Sequence, residues 1–141
     1  MKTKHYIVLV FALVLSITST AQNTLQSIEV TITNVQTDEG TIMIGLYNAE
    51  SNFLNKPYKS ISIKANKGPL KASFKNILEG EYAISLYHDQ NNNNELDTNF
   101  FGIPKEPYGT SNNAKGRFGP PKWVDAKFLV SKKTVIQSIS L

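Results

Sequence analysis

Apolar residues along this chain recur mostly at every second position, the spacing of strands that keep one face inward. Over residues 27–35, Ile28, Val30, Ile32 and Val35 nearly alternate with Glu29, Thr31 and Thr33, while residues 41–47 set Ile42, Ile44 and Leu46 on one face. Thr37-Asp38-Glu39-Gly40 between them is turn chemistry, so the two strands are expected to pair as a hairpin. A polar stretch carrying Pro57 leads to a short third strand with Ile61 and Ile63, and Gly68-Pro69 turns the chain into a fourth with Leu70, Ala72 and Phe74. Glu79-Gly80 starts a fifth, in which Tyr82, Ile84 and Leu86 alternate with Ala83, Ser85 and Tyr87. Residues 126–130 and 135–141 are expected to form a last pair around Ser131-Lys132-Lys133. No window sustains the 3.6-residue period of a helix, so the pattern predicts an all-β, seven-stranded, two-layer β-sandwich. Its core should hold Ile28, Val30, Ile32, Ile42, Ile44, Leu46, Phe74, Tyr82, Ile84, Leu86, Phe128 and Ile139.

The regular pattern breaks between the fifth and sixth strands. Residues 88–122 contain four of the eight glycines and four of the six prolines, together with Phe100, Phe101, Ile103, Tyr108 and Phe118, and Trp123 follows directly. Loops longer than about 12–15 residues are uncommon in compact domains unless they are functional or disordered, and this one is too apolar for disorder. It is expected to be a long ordered flap whose aromatic residues are mostly buried against the sheets.

The N-terminus changes the compartment. Lys2, Lys4 and His5 precede an apolar run over residues 7–15 that ends in Ser19-Thr20-Ala21, the layout of a secretory signal peptide over residues 1–21, with cleavage before Gln22. The domain is then residues 22–141. The chain has no cysteine, so neither lipoprotein anchoring nor disulfides are expected, and the protein should be periplasmic or secreted. The formal charge of +4 falls close to neutral once Lys2 and Lys4 are lost. The remaining lysines are scattered, which argues against nucleic acid as a partner. The remaining apolar runs are strand-sized, so no membrane insertion is expected after cleavage. A monomer is expected.

Candidate chemistry concentrates where the fifth strand ends. Asp89, Asn91, Asn93 and Asp97 stand at positions one, three, five and nine of an oxygen-rich loop, with the Glu95 carbonyl at position seven, a spacing suited to calcium. Asn94 stands at position six, where such loops favour glycine, and Phe100 at position twelve, where an EF-hand has its bidentate glutamate, so any calcium site here is weak and no EF-hand. The competing reading is an asparagine-rich turn held by Asx hydrogen bonds without metal. His88 lies beside Asp89 with Ser111 downstream, but no Gly-x-Ser-x-Gly elbow presents the serine. His88 is instead expected to hydrogen-bond the flap, and Glu106, between Pro104 and Pro107, to bond backbone amides.

The run Phe74-x-x-Ile77-x-x-Gly80-x-Tyr82-x-Ile84-x-Leu86-x-His88-Asp89-x-Asn91-x-Asn93-x-x-Leu96-Asp97-x-Asn99 continues through Gly102-Ile103-Pro104-x-Glu106-x-Tyr108-Gly109-x-Ser111-Asn112. It resembles the exported bacterial family catalogued as domain of unknown function 2141, over essentially all of the chain after residue 21. The resemblance implies a transthyretin-like or immunoglobulin-like sandwich. It implies no activity, substrate or catalytic residue, only the shared His88-Asp89 and Gly102-Ile103-Pro104-x-Glu106 positions. The leading expectation is therefore a non-enzymatic binding or structural module. Its partner would be an unidentified small molecule, glycan or protein. The alternative is carbohydrate or peptide recognition at the aromatic flap, with Tyr108 and Trp123 as contacts; a hydrolase using His88 is a third.

Overall fold

The computed structural model describes residues 24–141, so the signal-peptide reading of residues 1–21 lies outside the described residues. Eight strands follow in order: β1 (Gln26–Val35), β2 (Thr41–Tyr47), β3 (Lys59–Lys64), β4 (Gly68–Ile77), β5 (Gly80–Asp89), β6 (Tyr108–Thr110), β7 (Phe128–Val130) and β8 (Val135–Ser140). Short 3-10 turns at Glu50–Asn52 and Ser111–Asn113 and one α-helical turn, α1 (Trp123–Ala126), complete the fold, which is all-β. One sheet has the order β4-β1-β8 and the other β3-β2-β5-β6, with β7 also paired to β5.

The two sheets share one core. Ile28, Val30 and Ile32 of β1 pack in a single cluster with Ile42, Ile44 and Leu46 of β2, Ile84 and Leu86 of β5 and Ile139 of β8. The alternation therefore identified the inward faces, and Phe128 alone of the expected core is only partly buried against that cluster.

Strand partnership differs from the sequence expectation in three places. β1 and β2 form no hairpin: β1 pairs antiparallel with β4 and parallel with β8, and β2 pairs with β3 and β5. Residues 36–40 carry the chain from one sheet to the other. A period of two shows which side chains face inward but not whether the next strand lies beside its neighbour or across the core from it. The last two strands likewise do not pair, since β7 joins β5 and β8 joins β1, with Ile28 opposite Val135 and Ile32 opposite Ile139. The eighth strand, β6, lies inside the expected flap, where Tyr108, Gly109 and Thr110 pair with Tyr87, Leu86 and Ser85. Three residues centred on glycine carry no readable alternation.

The bends in β1 and β4 fall to asparagine. Asn34 and Asn76 take φ of 62° and 58°, each at or beside an irregularity in the β1–β4 register. Asparagine enters the left-handed region at lower cost than most residues.

Leu86 is fully buried where β5 lies between β2 and β6. Leu86→Ala should lower unfolding free energy by roughly 2–5 kcal/mol in urea denaturation. Phe100→Ala, at a residue 97% exposed, should change it by less than about 0.5 kcal/mol.

Candidate functional site: an Asx-bonded loop beside an apolar groove

β5 ends in His88-Asp89, and residues 90–107 then leave the sheet before β6 returns to it. Most backbone groups in this excursion have no ladder partner, so side chains take that place. Asp89 is 0% exposed; its Oδ1 accepts the Asn93 N–H at 3.1 Å and its Oδ2 the Asn94 N–H at 2.8 Å. Asn91 Oδ1 accepts the Asn93 N–H at 3.1 Å and Asn93 Oδ1 the Glu95 N–H at 2.9 Å, two Asx turns in succession. The positive φ values at Asn92 and Asn94, 57° and 64°, suit asparagine.

Glu106 closes the loop from the far side. Its buried carboxylate accepts the Gln90 N–H through Oε1 at 2.9 Å and the Asp97 N–H through Oε2 at 3.0 Å, joining the two ends of the oxygen-rich segment. Asp97 in turn accepts amide protons from Asn91 Nδ2 at 2.7 Å and Asn93 Nδ2 at 3.2 Å. The four side chains at positions one, three, five and nine thus lie within one hydrogen-bonded cluster. Among the described residues the one ion pair is Lys127–Glu81, so no cationic side chain is paired with Asp89, Asp97 or Glu106. Nor does any group of three or more His, Cys, Asp or Glu among the described residues form a metal cluster. Burial first, then the negative charges of Asp89, Glu106 and Glu95, push the Tyr87 phenol above its ordinary value.

His88 is buried, and its Nε2 lies 2.7 Å from the Glu39 carbonyl. A carbonyl only accepts, so Nε2 carries the proton. The ring therefore bonds the β1–β2 crossover instead of the flap, which meets His88 through its backbone N–H and the Pro107 carbonyl at 2.9 Å. The Ser111 hydroxyl accepts the Ile84 N–H at 2.9 Å and donates to the Ala126 carbonyl at 2.6 Å. It ties β5 to α1, and the structure does not join it to the His88 ring.

Beyond Asp97 the chain folds into a narrow arm. Thr98 bridges Pro104, and Asn99 Oδ1 accepts the N–H groups of Phe101 and Ile103 at 2.9 and 3.0 Å, while Gly102 supplies a φ of 75°. Phe100 and Phe101 project from its tip with rings edge to face at 5.5 Å. Across from this arm, Arg117 lies over the Phe118 ring at 5.5 Å. Between the arms runs a groove of about 830 Å³ floored by Tyr87 and Tyr108 and walled by Phe101, Ile103, Phe118 and Pro120.

The aromatic residues of the flap are thus mostly outside, against expectation. Phe100 and Phe118 are 97% and 95% exposed, and Phe101, Ile103 and Tyr108 are exposed as well. The inner faces of the sheets are already occupied by aliphatic side chains together with the rings of Phe74 and Tyr82, and close-packed interiors take in extra rings only at a cost. Trp123 is the exception, 8% exposed in a separate cluster with Tyr47, Ala83 and Ala126, its ring 5.7 Å from that of Phe53. It therefore shares no surface patch with Tyr108. Sequence reasoning passed over Asn113, whose amide donates to the Ser138 carbonyl at 3.2 Å and accepts the Ser140 N–H at 2.9 Å, imitating a strand at the free edge of β8. Nothing but its polarity marked it.

An all-β protein with two sheets around one core, carrying a side-chain-bonded loop next to an open apolar groove, is the class these features define. A family model, described as an uncharacterized protein conserved in bacteria (DUF2141), matches residues 30–138. The chain belongs to that family. No curated protein and no solved structure matched it.

Glu106→Ala removes one acceptor from each end of the loop and leaves two backbone N–H groups without it. Stability should fall by about 1–3 kcal/mol in urea denaturation. Amide exchange at Gln90 and Asp97 should accelerate beyond the change at core amides such as Ile84.

Proposed function

We propose that the protein is an exported, non-enzymatic binding module that holds an apolar ligand in the groove between residues 98–104 and residues 117–121. The observation that carries this reading is the exposure of Phe101, Ile103 and Phe118 around one concave surface. Scattered exposed apolar residues are ordinary, whereas several gathered along a groove mark a recognition surface. The volume lies in the range of about 300–1,000 Å³ typical of small-molecule sites. Export is supported by the charged start and apolar run of residues 2–15. The two sheets sharing one core support a transthyretin-like or immunoglobulin-like sandwich as the finer description.

A glycan is the weaker occupant. Sugars stack on rings but also require dense hydrogen bonding, and among the described residues no Asp, Asn, Glu, Gln or His lines the groove. An uncharged apolar fluorophore, N-phenyl-1-naphthylamine, should bind the full chain with saturable enhancement. Joint Phe101→Ser and Phe118→Ser substitution should weaken it about tenfold or more, the worth of one buried apolar side chain. Absence of enhancement with the unaltered chain overturns the groove reading.

A weak calcium site in the Asx loop is the second reading, favoured by the convergence of Asp89, Asn91, Asn93 and Asp97 with no cationic side chain among the described residues paired to either carboxylate. Calcium seeks six to eight hard oxygens, and binding would require Asn91 and Asn93 to exchange their amide contacts with Asp97 for contacts to the ion. Calcium at about 100 times its dissociation constant should stabilise the fold by roughly 2.7 kcal/mol and raise the melting temperature by several degrees. Asp97→Asn should abolish that rise. An unchanged melting curve in millimolar calcium retires the site.

A further inference from the structure

The charge distribution around the groove narrows the occupant, provided that the groove is a binding site as proposed above. Among the described residues Arg117 is its sole charged lining residue, and no carboxylate lines it. The Arg117 guanidinium lies against the Phe118 ring at 5.5 Å, on the arm across from the oxygen-rich loop. At the floor, Tyr87 donates its hydroxyl proton to the Asn94 carbonyl at 3.0 Å and feels the negative charges of Asp89, Glu106 and Glu95. The groove is therefore cationic at Arg117 and under the negative field of three carboxylates at Tyr87. An anionic group would be attracted to the first and repelled from the second.

The walls decide the rest of the molecule. Elsewhere the groove presents Leu96, Ile103, Phe101 and prolines, and its uncharged polar groups are hydroxyls alone, those of Ser85, two threonines and three tyrosines. A bound peptide would bring a backbone N–H and C=O at every residue and leave most of them unpaired against such a surface, at a cost of about 1–3 kcal/mol each. A hydrocarbon chain brings none.

We propose that the groove binds a free long-chain carboxylate, its acyl chain lying along Tyr108, Ile103 and Phe101 and its carboxylate paired with the Arg117 guanidinium. A guanidinium offers a planar, always-charged fork that matches a carboxylate. Because Arg117 is exposed, this contact selects among apolar molecules more than it adds to the affinity.

The test uses the purified full chain with cis-parinaric acid, a fluorescent long-chain carboxylate, below its micelle concentration, alongside its uncharged methyl ester. The acid should bind with saturable fluorescence, be displaced by palmitate and exceed the ester in affinity by about threefold to tenfold, the range of a partly exposed ion pair. Arg117→Gln should lower the affinity for the acid more than for the ester and so remove that preference, and Arg117→Lys should restore part of it. Equal affinity for acid and ester, or an indifferent Arg117→Gln variant, overturns carboxylate recognition but leaves the apolar groove standing. Failure of both parinaric compounds and of the uncharged naphthylamine probe overturns the groove reading itself. Binding to anionic phospholipid vesicles without binding of monomeric acid overturns the proposal in favour of a membrane surface.

Discussion

Every backbone N–H that leaves a ladder and is withdrawn from water needs an acceptor, and the most demanding place in this protein is where β5 ends. Residues 90–107 make a long excursion with one isolated bridge, Thr98–Pro104. Seven of their donors are met by side-chain oxygens, two by Asp89, two by Glu106, two by Asn99 and one by Asn93, with Asn91 sharing the Asn93 N–H with Asp89, while those of Asn99, Gly102 and Lys105 reach backbone carbonyls. Asp89 and Glu106 are buried with no cationic side chain among the described residues paired to them, so the dipoles of the N–H groups offset their charge. The abundance of Asp and Asn after His88 follows from this requirement. The arm that carries Phe101 and Ile103 hangs from the same bonds, and the groove has a fixed wall only while they hold.

The aromatic residues around that groove show the limit of reasoning from hydrophobicity alone. A ring gains by leaving water only if there is space to receive it, and the space between the sheets is already taken by Ile, Val and Leu with Phe74 and Tyr82 among them. Trp123 found room because Tyr47 and Ala83 turn to the opposite face from the main core and form a second small cluster with it. Phe100 and Phe118 belong to neither cluster and stay in water. The exposure of Phe101 and Phe118 around one concave surface is the feature that turns a structural loop into a candidate recognition surface.

Much of the fold was legible because its signal is local. Alternation at Ile28-Val30-Ile32 and Ile42-Ile44-Leu46 reports on neighbouring residues, and the same residues are buried. Partnership is not local: β8 lies beside β1 in parallel although a hundred residues of chain separate them, and no pattern within either strand expresses that choice. In the loop, the spacing of Asp89, Asn91, Asn93 and Asp97 was visible, and the structure brings these residues together. The exchange of hydrogen bonds that joins them was not visible, because Asn presents a donor and an acceptor and its orientation depends on distant partners. Glu106 bonding across to Gln90 and Asp97 depends on a chain reversal that spacing alone does not reveal. The groove was hidden for the same reason, since its two walls meet only once β6 has added to β5.

The crossover between the sheets and the root of the loop occupy the same place. The Glu39 carbonyl accepts the His88 Nε2–H, the Gly40 carbonyl accepts the Ala65 N–H at 3.1 Å, and a Cβ at Gly40 would overlap the Asp89 carbonyl. Gly40 also takes a φ of 78°, so two independent constraints call for glycine there. The segment that sends β1 and β2 into different sheets is therefore pressed against the last residues of β5. This contact makes the position of Asp89 a consequence of sheet topology as well as of local turn chemistry. Thr41 extends the clamp by donating its hydroxyl to Asn92 Oδ1 at 2.8 Å, inside the loop itself. Displacement at residues 39–41 would reach Asp89 and Asn92 through direct contacts, without first loosening the aliphatic core. The rigidity of the groove wall is thus inherited from the crossover.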